Sequence, residues 1–586
     1  STGKLPYVAI ICRLSHFCTI TSVKKLRLCT FNKNHLAMTK KIFIHLIAVL
    51  ISASSYCQTS AEWQSDLRQL QQIVHTKYSN LFYNISDANW DKAVDVFYNE
   101  IPGLKNDGVL AGFIKLVALF HIGHTQINSF GLHHGASSLQ LNRLPYQLYW
   151  FNDGVYILSA AKKYEQAVGG KVIKIGKLKT EDALAAIRPL VSFENEQGFK
   201  SNSMFFLATP EFLKTQGISE TSSEVSITYL KDGKEETVLV NAEAGINGFS
   251  MTGLETAAGW AVAKRTTSNI PLWQKEPASF RFMEFLPERK TLYVRHSVNL
   301  NDGDKTIAAF FTNMAGFIEK NDVQKLVLDI RTNGGGNNQL NKPMITSIIR
   351  SVKINQKGKF FCIIGRRTFS AAQNLVNELE KYTEVTFIGE PTSENVNFYG
   401  DTRTETLNNS KLQANLSWMW WQNLDPRDRR KATSPELAVD MSFDDYYNNE
   451  DPALKAIFNY ENEKPIAQIL ADKITAGDKA GAIHFAVEYK KDPRRRYVAD
   501  RLEAEINREG YNKLQSKHID IANALFEINT KVFPESANAY DSYAECLMAM
   551  GKKEEALKNY QIAIDKDKDG VTAENAKKMI EKIKNN

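Results

Sequence analysis

Three short segments combine side chains that could carry covalent or binding chemistry. His121-Ile122-Gly123-His124-Thr125 offers two imidazoles. Either could serve as a general base if the fold brings a hydroxyl to it. With His133 and His134 close by, a metal site is a second option, although no acidic residue separates the first pair as in a zincin helix. Asp329-Ile330-Arg331-Thr332-Asn333-Gly334-Gly335-Gly336 follows an apolar run, and its glycines could turn backbone N–H groups toward a ligand. An ordinary tight turn fits the same residues. Neither a Walker loop nor GxGxxG is present. Gly365-Arg366-Arg367-Thr368-Phe369-Ser370-Ala371-Ala372-Gln373 places a hydroxyl at the mouth of a helix, where N–H groups and the helix dipole stabilise negative charge. Ser370 and Gln373 also have the spacing of a capping box, so a purely structural cap is the alternative.

The elements that must position these segments are legible in the hydrophobic period. From 61 to 122 the period is helical: Trp63, Leu67, Leu70 and Val74 share one face, as do Phe113, Leu116, Val117 and Phe120. The second helix is expected to end at Gly123, leaving His124 just beyond it. From 141 to about 245, runs such as Val155–Leu158, Val172–Ile175 and Val225–Leu230 predict short strands. Between 291 and 400, strand-like Leu292–Val294, Lys325–Ile330, Phe360–Ile364 and Val385–Ile388 alternate with helical stretches at 306–319, 339–351 and after Ser370. That alternation predicts a mostly parallel sheet covered by helices. The last 120 residues are helical, and Gly510, Ala522 and Phe526 recur as Ala544, Ala556 and Tyr560 at a spacing of 34. This resembles a tetratricopeptide pair.

Composition narrows the function classes. The chain has 586 residues, 43% hydrophobic and 24% charged, which excludes a disordered or fibrous protein. Its formal charge of +7 is uneven, because residues 1–57 hold eight Lys/Arg and no acid. The remainder has 65 basic against 66 acidic residues and gives no support for a nucleic-acid partner. Met38-Thr39-Lys40-Lys41, the apolar run Ile42–Ile51 and small residues up to Cys57 read as a signal peptide, with cleavage before Gln58. Lipid anchoring at Cys57 is the lesser option, since Tyr56 stands where a lipobox has Gly or Ala. The run is shorter than the ~20 residues a membrane span needs. Residues 1–37 precede the start methionine and are expected to be absent from the mature chain. Cys362 and Cys546 permit no disulfide framework or zinc-ligand spacing.

In this order, the three segments resemble the tail-specific (C-terminal processing) serine peptidase family, which includes the tricorn core-like peptidases. The likeness covers about 62 to 455. Asp329–Gly336 is similar to D-x-R-x-N-x-G-G, Thr368–Ala372 to T-x-S-A-A, Gly389–Thr392 to G-E-x-T and Gly123–Thr125 to G-H-T. The Ser/Lys branch has a lysine shortly after G-E-x-T; Ser393-Glu394-Asn395 has none. The resemblance therefore implies the Ser/His branch, with Ser370 as nucleophile, His124 as general base and Gly335 and Ala371 supplying oxyanion-hole N–H groups. It implies a downstream carboxylate as third member, for which Asp428 is preferred to Asp425. It implies a PDZ-type module around Gly169–Gly176, although the motif is degraded there, and a catalytic sheet like that of ClpP and crotonase. Trp418, Met419, Trp420 and Trp421 could line a substrate pocket, but core packing is the expected role for most.

The expectation is thus an α/β multidomain chain: leader 1–57 with the signal peptide at 38–57, N-terminal helical part 58–140 carrying His124, PDZ-like β-rich module 141–280, catalytic α/β sheet 281–462 and tetratricopeptide-like helices 463–586. It would be an exported, periplasmic or extracellular, serine endopeptidase acting on peptides or unfolded protein, with no metal or organic cofactor and no nucleic acid. The C-terminal repeats would offer a surface for a protein partner. The rivals are a catalytically silent peptide- or ligand-binding protein on the same scaffold, and an adaptor working through its repeats.

Overall fold

The computed structural model describes residues 58–132, 139–244, 256–264, 266, 268–461, 464–568 and 570–585. The leader, with its signal peptide and Cys57, lies outside the described residues, as do His133 and His134. Among the described residues, no helix is long and apolar enough to cross a membrane.

The N-terminal part is built from α1 (Ser60–Lys77), α2 (Asp87–Glu100) and α3 (Asn106–Ala118). A capping box between Thr59 and Glu62 starts α1, which buries Trp63, Leu67, Leu70 and Val74 on one face. The sequence places the end of α3 at Gly123, but the helix stops at Ala118. Phe120 and Ile122 turn into the core, His121 takes a φ of 49°, and Trp90 stacks on Phe120 at 5.1 Å. Burial of those two side chains outweighs another helical turn. The chain then enters a short strand, β1 (Gln126–Ile127).

The β-rich module contains β2 (Tyr146–Phe151), β3 (Gly154–Ala161), β4 (Lys171–Ile175), α4 (Thr180–Ile187), α5 (Glu196–Leu207), α6 (Pro210–Thr215), β5 (Glu224–Lys231), β6 (Lys234–Asn241) and β7 (Trp260–Val262). Its antiparallel sheet runs β7-β3-β4-β5-β6, with β2 also paired to β3. The expected strands fall inside β3, β4 and β5. Helices α4, α5 and α6 are an addition to the sequence reading, which has only strands here. They bury Phe199, Phe206, Leu207 and Phe212.

The central sheet comprises β8 (Arg281–Leu286), β9 (Thr291–His296), β10 (Lys325–Asp329), β11 (Phe360–Ile364), β12 (Thr386–Gly389) and, after the hairpin β13 (Asn397–Thr406) and β14 (Gln413–Gln422), β15 (Leu437–Ala438). The order is β8-β9-β10-β11-β12-β15, parallel except for β8. Helices α7 (Ile307–Lys320), α8 (Lys342–Arg350) and α9 (Ala371–Tyr382) cover one face, where Leu326, Leu328 and Cys362 meet Phe311, Met314, Ile345 and Leu375. On the other face Val327, Phe361 and Ile363 pack against Ala453, Leu454 and Ile457 of α10 (Pro452–Phe458). Burial on both faces explains the nearly unbroken apolar runs. Truncating Phe361 to Ala would cost about 3–5 kcal/mol.

Beyond residue 463 the described chain is helical, including Ala499–Gln515, Ile519–Val532, Ala537–Ala549 and Lys553–Lys566. The small residues noted in the sequence sit at close crossings: a Cβ on Gly510 would stand 2.8 Å from the Phe526 ring. Ala544, Ala556 and Tyr560 share a core cluster.

Candidate active site

Three neighbouring parallel strands deliver the site. Pairing of Asp329 with Ile363 and of Ile364 with Gly389 aligns the C-terminal ends of β10, β11 and β12, so that their loops emerge side by side. Buried Thr368 ties the three together. Its hydroxyl donates to Ile330 O (3.0 Å) and accepts from Gly365 N–H (3.0 Å), while its carbonyl accepts from Ser393 N–H (3.2 Å).

Ser370 enters α9 at φ 57° and ψ −124°, and its side chain makes no capping hydrogen bond. The Gln373 amide instead donates to Asn377 Oδ1 and Thr433 Oγ1, so the capping-box alternative is not realised. A non-glycine residue in such a conformation costs of order 1–3 kcal/mol. The cost is offset locally, since Ser370 N–H donates to Glu394 Oε2 at 2.5 Å. Gly335, at φ 99°, lies against this turn: a Cβ there would be 2.7 Å from Ser370 Cβ and 3.0 Å from Ala371 N. Only glycine allows that approach.

His124 reaches the same place from the N-terminal part. The Asn84 amide holds its loop through Phe120 O and His121 O, both at 3.1 Å. Beyond it, Thr125 Oγ1 accepts from Ser417 N–H (3.1 Å), and β1 pairs with β14. The imidazole stacks on Phe369 at 4.3 Å between centroids, beside the Ser370 turn. Its Nδ1 lies 2.9 Å from Glu394 Oε1, at an angle short of hydrogen-bond alignment. Glu394 therefore touches both the imidazole and the Ser370 backbone. A second buried carboxyl, Glu194, accepts from Gly123 N–H (3.4 Å) and Asn395 N–H (3.0 Å).

The electrostatics follow from burial. Desolvation lowers the His124 pKa to about 4, against the opposing charges of Glu194 and Asp401, so the imidazole is neutral at neutral pH. Burial, and then the charge of Glu394, raises Glu194 to about 8. Glu394 is pushed well above the carboxylate range by burial, against the Ser370 N–H bond.

Several expected site residues come together and others do not. Ser370, His124, Gly335 and Ala371 converge, although no hydrogen bond joins the imidazole to the Ser370 hydroxyl among the described residues. Among the described residues Ala371 N–H, at the first turn of α9, has no protein partner, whereas Gly335 N–H donates to Asn333 Oδ1 at 2.9 Å and is not free to hold an oxyanion. Asp428 is not against His124. It is spent on Arg430, through contacts of 3.0 and 2.7 Å, and Arg430 also binds Glu380. Asp425 pairs with Arg427 at the surface. The carboxylate beside the imidazole is Glu394, whose only sequence signal was its place two residues after Thr392, where a lysine was sought. Asp329 and Arg331 pair with each other, with Asp451 completing the network, and Glu390 pairs with Arg366; these motif residues brace the loops. Trp418, Met419, Trp420 and Trp421 are exposed or half-buried on β14 rather than in the core, because β13 and β14 have one face open to solvent. Among the described residues no group of three His, Cys, Asp or Glu side chains is placed to hold a metal ion.

Mature CPAF complexed with lactacystin aligns over 69% of this chain and 99% of its own, at 10% identity and a TM-score of 0.51. A point mutant of CPAF gives the same coverage, identity and score. The chain shares the CPAF fold. The photosystem II D1 C-terminal processing protease aligns over 69% of this chain at 12% identity, with a TM-score of 0.34. No protein-family model and no curated protein sequence matches the chain.

A cavity of about 1080 Å³ adjoins the site without including Ser370. Tyr149 and Trp150 of β2 and Lys200 and Met204 of α5 form one wall, and Arg366 and Arg367, on the loop leading to Ser370, form another.

Proposed function

We propose that this chain is an exported serine endopeptidase of the tail-specific type, using Ser370 as nucleophile, His124 as general base and Glu394 as the carboxyl group that orients the base. One observation carries the proposal: a single buried carboxylate contacts both the His124 ring and the Ser370 backbone. With Nδ1 directed at Glu394, the Nε2 lone pair remains for the Ser370 proton. Ser370 Oγ would then attack a peptide carbonyl carbon while His124 takes its proton. The tetrahedral oxyanion would be held by Ala371 N–H and by a loop N–H freed from Asn333; one such donor contributes about 3 kcal/mol. His124 returns the proton to the leaving amine, giving the acyl-enzyme, and then deprotonates the water that hydrolyses it. The cavity beside β2 would hold an extended stretch of the substrate, its carboxylates facing Arg367 and Lys200.

A second reading is a silent binding protein on this scaffold. It is favoured by the missing His124–Ser370 hydrogen bond and by the engagement of Gly335 N–H. Labelling with a fluorophosphonate probe, mapped by mass spectrometry, separates the two. Expected is modification at Ser370 that is lost in His124→Ala, with cleavage of unfolded protein lost in Ser370→Ala at an unchanged melting temperature. An unlabelled Ser370 in a chain that cleaves nothing would leave the binding reading.

A further inference from the structure

One carboxyl group of the site has no part in the mechanism above. Glu194 lies in the turn before α5, a helix of the β-rich module, yet its side chain reaches both loops of the catalytic pair. Its Oε1 accepts from Gly123 N–H and its Oε2 from Asn395 N–H, at 3.4 and 3.0 Å. Gly123 directly precedes His124, and Asn395 directly follows Glu394. We infer that Glu194 is a positioning residue, a clamp from the β-rich module that holds the base-bearing and acid-bearing loops at their working separation. This role rests on the peptidase reading of Ser370 and His124, and it makes docking of that module a condition of catalytic geometry.

The surrounding packing supports the same connection. Asn195 caps α5, accepting from Gln197 N–H and Gly198 N–H at 3.0 Å, while its amide donates to Thr392 O (3.2 Å) and Lys431 O (2.5 Å). A Cβ on Gly198 would stand 3.1 Å from Ser393 O. The first turn of α5 is thus pressed onto the loop that carries Glu394, while Lys200 and Met204 farther along the same helix line the cavity. The ionisable groups facing Glu194 are His124, from the loop after α3, and Glu394, from the loop after β12. Asp401 on β13 acts on His124, and Arg188 and Lys431 act on the neighbouring His121. Burial keeps Glu194 protonated to about pH 8, and either protonation state leaves both oxygens able to accept the two N–H groups. A glutamine of the same shape has one oxygen and must turn an N–H₂ toward one of them.

The test uses the full mature chain and its Glu194→Gln and Glu194→Ala variants. Melting temperature, fluorophosphonate labelling at Ser370, kcat and KM on a fluorogenic unfolded-protein substrate from pH 5 to 9, and the His124 titration by NMR would be measured. Expected for Glu194→Gln is cooperative melting, a kcat lower by about tenfold to a hundredfold at nearly constant KM, and loss of the rise in kcat near pH 8 expected of the parent. That rise follows because an ionised Glu194 stabilises the imidazolium. The His124 pKa should move up toward 6.5 as the loosened loops admit water. A Gln variant with the parent's kcat, pH profile and His124 titration would overturn the role while leaving the peptidase reading intact. A parent that is neither labelled nor active would sink the peptidase reading. The His124 titration would then decide alone, a shift in the Gln variant supporting the clamp and no shift refuting it. Should Glu194→Ala fail to fold, the isosteric Gln variant carries the comparison.

Discussion

Replacing Glu394 by glutamine separates the chemistry of this site from its architecture. The carboxylate has two oxygens and two tasks, one facing His124 Nδ1 at 2.9 Å and the other accepting Ser370 N–H at 2.5 Å. Glutamine has one acceptor. If that oxygen stays with Ser370, the amide N–H₂ faces Nδ1, forces the ring proton onto Nε2 and leaves no lone pair for the nucleophile. If it stays with His124, two donors meet at Ser370 N–H and the turn at φ 57° loses its anchor. The wrong-tautomer outcome costs about 10⁴-fold in kcat where a comparable aspartate is replaced, or about 5 kcal/mol. The anchor outcome costs a buried hydrogen bond of about 0.5–1.5 kcal/mol and displaces Ser370. Glu394→Gln should therefore lose about 10²–10⁴ in kcat, read by hydrolysis of a fluorogenic peptide and by the rate of Ser370 labelling. Stability should move the other way. A carboxyl whose folded pKa is raised by burial contributes stability that is complete below its unfolded value of 4.5 and is lost as pH rises. The variant lacks that loss, so its melting temperature should gain on the parent's from pH 5 to pH 8. Activity within tenfold of the parent would refute the assignment of Glu394 as the orienting acid.

The same geometry makes further outcomes measurable. The base must be neutral to accept a proton, and burial lowers His124 to about 4, so the acid limb of kcat/KM should fall near pH 4; a limb at 6.5 would mean an exposed imidazole. Gly335→Ala puts a methyl group 2.7 Å from Ser370 Cβ and should cut labelling by about a hundredfold. Gly334→Ala, with nothing within 4 Å of its Cβ, should label at the parent's rate. Asp428→Ala removes a partly exposed ion pair with Arg430 and should cost under about 1 kcal/mol in a denaturant melt, with kcat unchanged. A large fall in kcat there would restore Asp428 to the site.

The sequence reading reached the central sheet and the turn at Ser370 for the same reason. Strands buried on both faces, such as Leu326–Asp329 and Phe360–Ile364, must be nearly all apolar, and Gly335 and Gly336 stand where neighbouring backbone approaches too closely for a side chain. The carboxyl group beside His124 was harder to read. Asp428 and Glu394 are both carboxylates downstream of Ser370, and nothing in spacing tells which of them an imidazole more than two hundred residues away will meet. Helices α4, α5 and α6 escaped because the strands on either side dominate the period of that region.

Residue type and local period by themselves determined that a hydroxyl would open a helix after a buried strand, that glycine would lie beside it, and that small residues would mark the crossings of the C-terminal helices. These are constraints of neighbouring backbone and of burial, and they act over a few residues. Only the tertiary structure decided that Asp428 would be consumed by Arg430, that Glu394 would bridge His124 and Ser370, and that Glu194 would enter the site from another module. Those outcomes depend on which charged groups meet once water is excluded, and the cost of an unpaired buried charge, rather than any local pattern, selects among them.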